Sequence, residues 1–259
     1  MENRILKYPR TPHIEGSRLQ DGDEDLSQIP FSAISGRWVA VEEKVDGANV
    51  GISFFDGELY LQSRGHFLRG GVKEREYELF KVWANSRCEE LYEILGERYI
   101  MYGEWLYRKH RVYYNSLSHY FLEFDIFDKE KGKYLDTGSR QALLCGSFIR
   151  SVPTLFEGRL SSRKELLELI GQSRFIEGNH LSELYEKAEG LGLDPSEVLR
   201  QTDQTSLMEG LYIKLEEGGE VVSRMKYVRH GYTQAEVVTQ GWHSGIIIPN
   251  RLKGGSIFD

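Results

Sequence analysis

Between Arg37 and Ser63, apolar and polar residues alternate with a period of two through RWVAVEE, ANVGISFF and ELYLQS, broken only around Asp46-Gly47 and at Asp56-Gly57. Alternation interrupted by Asp-Gly is the pattern of antiparallel strands joined by tight turns, and it reads here as a β-meander. The same periodicity returns at Arg98–Leu106, at His119–Asp128, and in a hairpin, LMEGLYIKL and EVVSRMKYVR, around Glu217-Gly218-Gly219. Glu74–Leu95 instead spaces Tyr77, Phe80, Trp83, Ala84, Leu91, Ile94 and Leu95 as one helix that stops at Gly96. Residues 136–206 read as a helical insertion built from Gly138–Ile149, Ser162–Ile170, Leu181–Glu189 and Pro195–Arg200. Strand runs segregated from helical runs predict an α+β chain.

A chain of 259 residues is long enough for one principal core. The expected division is an irregular N-terminal arm over 1–36, with Pro9, Pro12, Pro30 and the acidic stretch Asp21 to Asp25, then a main domain over 37–230, then a tail over 231–259 packed on the same domain. No apolar run approaches a membrane span and the first residues lack a signal-peptide core, so a cytoplasmic protein is expected. Cys88 and Cys145 make neither a disulfide framework nor a zinc pattern, and read as buried reduced thiols. A net charge of -7 argues against a protein that coats nucleic acid by bulk electrostatics. Two local basic runs stand out: Arg64, His66, Arg69, Lys73 and Arg75, and Arg108 to Arg111 with Tyr107, Tyr113 and Tyr114. Cations interleaved with aromatics are either a phosphate-holding, base-stacking surface or solvated loops.

Lys44 is delivered by the end of a strand into the Asp46-Gly47 turn. An ammonium has no lone pair, so a nucleophilic lysine needs a depressed pKa or a neighbouring cation. Alone, Lys44-Val45-Asp46-Gly47 is also ordinary hairpin chemistry. Glu104 lies among apolar neighbours, where a carboxylate needs a partner. Phe121, Phe124 and Phe127 are either core or ligand platforms. Arg224 and Lys226 share one strand face, which is either a polyanion site or a solvated side.

In order along the chain, Lys44-x-Asp46-Gly47-x-Asn49, Ser63-Arg64-Gly65, Tyr102-Gly103-Glu104, Phe124-Asp125-Ile126, Glu209 to Lys214 and Arg224-Met225-Lys226 resemble the motifs of the covalent nucleotidyltransferases, the superfamily of ATP-dependent DNA ligases, RNA ligases and capping guanylyltransferases. The resemblance spans Arg37 to Arg229. It implies an ATP-grasp-like nucleotidyltransferase domain of antiparallel sheets with flanking helices. It also implies roles: Lys44 as the nucleophile toward the α-phosphorus of ATP, giving lysyl-AMP; Arg64 on ribose or phosphate; Glu104 on ribose; Phe124 stacked on adenine; and Lys226 on the α-phosphate. Lys214 and Arg224 become further phosphate ligands, Glu43 and Asn49 join the nucleotide-binding set, and Glu209 and Asp46 hold Mg2+ or Mn2+ through water. The last motif departs from the usual Lys-x-Lys by carrying Arg224 first.

Asn49 and Phe-Asp-Ile place the resemblance nearest the nick-sealing RNA ligases of compact bacterial type, which work beside a separate end-healing kinase or phosphatase. Only Gly231 to Asp259 follow the last motif, too short for a C-terminal OB domain. The implied function is an ATP-dependent RNA ligase that joins a 5′-phosphate end to a 3′-hydroxyl, on RNA ends or a nicked duplex. The alternatives are a DNA or mixed-nick ligase and a non-catalytic nucleic-acid-binding relative.

Overall fold

Two antiparallel sheets face one another with a cleft between them. The computed structural model describes residues 4–19, 28–232 and 246–258, so the acidic stretch Asp21 to Asp25 and residues 233–245 of the expected tail lie outside the described residues. The strands are β1 Trp38–Lys44, β2 Ala48–Phe55, β3 Glu58–Ser63, β4 Tyr99–Trp105, β5 Phe121–Asp128, β6 Lys133–Tyr134, β7 Thr154–Arg159, β8 Gly210–Glu217 and β9 Glu220–Val228. The first sheet has the order β7-β1-β8-β9 and the second β3-β2-β4-β5-β6. With α1 Glu78–Ser86, α2 Cys88–Leu95, α3 Thr137–Leu144, α4 Arg163–Leu167, α5 His180–Gly190 and α6 Pro195–Arg200, the fold is α+β. No helix among the described residues is long and apolar enough to cross a membrane.

The expected meander is corrected at its first turn. β2 and β3 pair in register, but β1 belongs to the other sheet, so residues 45–47 cross between layers rather than close a hairpin. Periodicity reports that a strand exists but not which neighbour it takes. The helix read over Glu74–Leu95 is a 3-10 turn at Val72–Tyr77 followed by α1 and α2, which are separated at Arg87. The 136–206 stretch is not wholly helical: β7 lies within it and pairs with β1. Cys145 is exposed and Cys88 half-buried, and both are free thiols rather than buried ones.

Each sheet buries an apolar outer face. Val39, Val41, Ile213, Leu215 and Met225 pack beneath Phe31, Ile34 and Leu166, while Val50, Ile52, Met101 and Phe121 pack against Phe80, Trp83 and Leu91 of α1 and α2. Alternation then sends the polar residues inward, toward the cleft. The floor of the cleft is a buried charge network. Glu42 of β1 accepts Arg140 of α3 at 2.9 Å and Lys214 of β8 at 2.8 Å. Glu123 lies 3.4 Å from Arg140. Asp125 of β5 meets Lys214 at 3.3 Å and Arg224 of β9 at 2.8 Å. Three carboxylates thus face three cations, which neutralises a group that would be very costly to bury unpaired.

The N-terminal arm is ordered where it is described. The Pro12 carbonyl accepts from the Lys226 amide at 2.9 Å, and the Ile14 amide donates to the Lys226 carbonyl at 2.9 Å, adding a short parallel segment beside β9. Residues 246–258 pin the 106–120 segment: Asn250 Oδ1 accepts the Tyr114 amide and Asn250 Nδ2 donates to the Leu106 carbonyl.

Arg140 bridges the most acids in the floor, lying 4.0 Å from Asp125 as well as against Glu42 and Glu123. Arg140→Ala is expected to lower the unfolding free energy by roughly 3–5 kcal/mol, because it strands buried carboxylates rather than merely removing a contact. Urea unfolding near neutral pH measures this, and a loss below about 1 kcal/mol, the scale of a surface pair, would show that the network does not clamp the sheets.

Candidate active site

A cavity of about 440 Å³ opens between the sheets above this floor. Lys44, at the last position of β1, faces it. Its Nζ donates to Glu209 Oε2 at 2.6 Å, with the lysine side chain 20% and the glutamate 1% exposed. Burial works to lower the Lys44 pKa, but Glu209, then Glu104 and Asp46, outweigh it, so the amine is held protonated, above its ordinary value. The depressed pKa expected of a nucleophile is therefore not a property of the pocket by itself.

Two glycines permit this closeness. A Cβ on Gly210 would lie 1.8 Å from the Tyr227 carbonyl oxygen, so only glycine lets β8 pass β9 directly after Glu209. A Cβ on Gly47 would lie 2.7 Å from the Trp105 carbonyl, and its amide donates to Glu104 Oε1 at 3.1 Å. Glu104 is thereby tied to the crossover that carries Lys44. Burial raises its pKa, Lys44 opposes, and Asp46 and Glu209 add to the rise, which reaches about 7.

Asp46 has a different task. Its Oδ2 accepts the backbone amides of Arg111 at 2.7 Å and Val112 at 3.1 Å, and its own amide donates to Tyr114 Oη at 2.9 Å. Burial resists its ionisation, yet His110, Lys44 and these donors prevail and lower its pKa. Of the two carboxylates expected at a metal, Asp46 is the one committed to backbone, locking the basic 108–111 loop beside the crossover.

The pocket brings together Lys44, Asp46, Asn49, Arg64, Glu104, Phe124, Glu209 and Lys226. Asn49 faces Glu104 across the β2–β4 pair, and its buried Oδ1 has no hydrogen-bond partner. Arg64 is exposed at the rim. Phe124 owes its place to a β-bulge: the β4–β5 register slips between Tyr102 and Gly103, which face Asp125 and Glu123 and leave Phe124 as the extra residue. Two expected ligands are elsewhere, and a third, Glu43, lines the cavity without offering it its carboxylate. Lys214 is fully buried, held by Glu42 and Asp125 and donating to the Phe124 carbonyl. Arg224 pairs with Asp125 and stacks 3.7 Å from the Tyr134 ring centroid. Both belong to the floor, not the pocket wall. Glu43 turns its carboxylate to the other face of β1, where Oε1 accepts Ser173 Oγ at 2.6 Å and Oε2 the Arg174 amide at 3.2 Å. Strand alternation foretells that turn, since Lys44 and Glu43 are neighbours.

Tyr8 and Thr11 of the arm also line the pocket, with Tyr212, and sequence reasoning assigned none of the three a role. The available signal was the Tyr-Pro-Arg-Thr-Pro run, whose prolines hold the preceding residues extended.

Among known proteins, the RNA ligase family matches residues 37–228. Comparison with curated proteins returns no match. Solved structures of similar fold include the Naegleria gruberi RNA ligase, as a lysine-to-alanine variant with ATP and Mn at 18% identity and a TM-score of 0.50, and as a lysine-to-methionine variant with AMP and Mn at 17% identity and a TM-score of 0.52. Each alignment covers 78% of this chain and 52% of that one, so the chain spans about half the length of the structures it matches.

The raised pKa of Glu104 gives the ligand-free protein a pH signature. Its contribution to stability is fully present below the ordinary carboxyl pKa, where both states are protonated. It is lost as pH rises to about 7, because the unfolded chain ionises first. Glu104→Gln removes the titration, so the variant is expected to gain stability relative to the parent between about pH 5 and about pH 8 in urea unfolding. An unchanged difference across that window would contradict the burial of this carboxyl.

Proposed function

The chain belongs to the RNA ligase family, and from that premise we propose that it is an ATP-dependent RNA ligase with Lys44 as the adenylated residue. The observation that carries the reading is the placement of Lys44 Nζ against Glu209 inside a cavity that Glu104, Arg64, Phe124 and Lys226 also line. In the first step a neutral Lys44 amine attacks the α-phosphorus of ATP. The new N–P bond forms as the bond to pyrophosphate breaks, and the nitrogen gives up a proton to solvent, leaving lysyl-AMP. In the second step an oxygen of an RNA 5′-phosphate attacks the same phosphorus, the N–P bond breaks, and Lys44 is released as its amine. A 3′-hydroxyl then displaces AMP and closes the phosphodiester. The substrates are RNA ends or a nicked duplex, and the domain acts as a nucleotidyltransferase.

The residues divide the work by position. Phe124, exposed to the cavity by its bulge, offers a face for adenine. Glu104 and the unpartnered Asn49 Oδ1 accept ribose hydroxyls. Lys226 and Arg64 neutralise phosphate charge, since phosphoryl transfer depends on positioning and charge compensation more than on covalent help. Glu209 orients the Lys44 amine and carries the charge opposite it.

The carboxylates also fit a divalent cation held at one remove. No group of three His, Cys, Asp or Glu among the described residues is spaced to ligate a metal directly, but Glu209 and Glu104 both bear on Lys44. Magnesium keeps much of its water, so such carboxylates hold it through hydration. Mg2+ or Mn2+ held there by Glu209 and Glu104 would supply positive charge to offset the triphosphate and Glu209, and burial would then favour the neutral amine of Lys44.

Incubation with α-labelled ATP and Mg2+ is expected to leave a covalent label on the protein through a denaturing gel. Lys44→Ala is expected to abolish it, and Glu209→Gln to slow it by roughly a hundredfold, the scale of losing one charge-stabilising group. Preparations first stripped of AMP with pyrophosphate that take no label would refute the reading.

A further inference from the structure

The arm segment Tyr8 to Thr11 is anchored to both sheets. The Leu6 carbonyl accepts from Gln62 Nε2 at 2.9 Å and from Tyr102 Oη at 2.7 Å, on the second sheet. Pro12 and Ile14 are bonded to Lys226 on the first. Held at both ends, the segment sets the Tyr8 ring edge-on to Phe124, centroids 5.1 Å apart. Three hydroxyls then form a line. Thr11 Oγ1 is 2.9 Å from Tyr212 Oη, which is 2.6 Å from Tyr8 Oη, which reaches Asp125 Oδ2.

The distances leave the proton direction open, and Asp125 closes the question. Asp125 lies 2.8 Å from Arg224 Nε and 3.3 Å from Lys214 Nζ. Although burial opposes ionisation, these cations lower its pKa to about 2, so it is a carboxylate that only accepts. Tyr8 must therefore donate to Asp125. With that proton committed, the Tyr8 oxygen can only accept from Tyr212, and the Tyr212 oxygen can only accept from Thr11. All three protons point down toward the buried carboxylate. Toward the cavity that Thr11 and Tyr212 line, these hydroxyls present lone pairs.

We propose that this polarised hydroxyl chain selects the nucleobase, favouring a purine with an amine at C6 over one with a carbonyl there, and that Tyr8 is the specificity-determining residue, acting through Tyr212. A C6 amine donates to the lone pairs, whereas a C6 carbonyl meets acceptor against acceptor and leaves its own oxygen unpaired. Thr11 and Tyr212 touch the base, and Tyr8 is a positioning residue that sets the direction of their protons. The inference rests on the nucleotide-binding half of the proposed function, with the base beside Phe124, and not on the chemistry at Lys44.

AMP and IMP differ at C6 as amine against carbonyl, and equilibrium titration of the full chain with each tests the idea without any covalent step. The parent is expected to bind AMP roughly tenfold to a hundredfold more tightly than IMP, the worth of one unpaired polar group. Tyr8→Phe releases the Tyr212 proton to face the cavity, so IMP should gain and the ratio shrink. Thr11→Val removes an acceptor, so AMP should weaken while IMP does not. Because the ratio is internal to each preparation, partial misfolding cannot imitate the effect. A parent ratio near unity, a ratio unchanged in both variants, or no binding of either nucleotide overturns the proposal. Selective AMP binding without a Lys44 label would instead sink the ligase chemistry and leave base selection standing; an ATP label with an unchanged ratio would do the reverse.

Discussion

The structure depends on the charge group buried between the sheets. Glu42, Glu123 and Asp125 oppose Arg140, Lys214 and Arg224, all but the last essentially without solvent contact. Such a group is a poor source of net stability, since desolvation offsets most of the Coulomb gain. What it supplies is geometry. An apolar interface tolerates sliding, because contact energy is non-directional. Here Arg140 and Lys214 each span carboxylates from different elements, Lys214 of β8 reaching Glu42 of β1 and Asp125 of β5, so a small shear would leave a charge unpaired. The two sheets are thereby held at one spacing and one register.

That spacing determines the chemistry of the cavity above. The floor is neutral and closed, while the wall around Lys44 carries Glu209, Glu104 and Asp46 in close company. Each relieves the crowding in its own way. Glu209 pairs with the lysine, Asp46 draws on two backbone amides, and Glu104 is left with its pKa near 7. A pocket in that condition favours the arrival of positive charge. The floor reaches upward too, because the ionised Asp125 dictates which way Tyr8, and through it Tyr212 and Thr11, direct their protons.

Local pattern carried much of this architecture in the sequence. Strands at 38–44, 99–105 and 210–228 are legible as alternation, and alternation also places Lys44, Glu104 and Lys226 on inward faces. What local pattern cannot carry is pairing. Nothing in the 37–54 stretch tells a hairpin from a crossover, and β7, short, half-buried and interrupted by Gly158, has only Thr154 of the branched residues that mark a strand. Depth is equally hidden. Arg224 and Lys226 share a face and are two residues apart, yet one lies in the floor, paired with Asp125, and the other in the pocket wall. The Phe124 bulge has no signature in its own sequence, and the contribution of Tyr8 depends on partners more than ninety residues away.

The crossover links these scales. Lys44 is the last residue of one sheet and Ala48 the first of the other, so the lysine sits where the layers are joined covalently. Its counter-charge, Glu209, precedes β8 in its own sheet, while Glu104 lies on β4 across the cleft and holds the crossover through the Gly47 amide. The position of the amine between these carboxylates is therefore a direct function of the distance between sheets. A pair of layers free to drift would carry Glu104 away from Lys44 while leaving Glu209 in place, and the balance of charge around the amine would change with every fluctuation. The buried ions, of which Glu42 lies two residues from Lys44 and reaches the cavity lining, are what keep that balance constant.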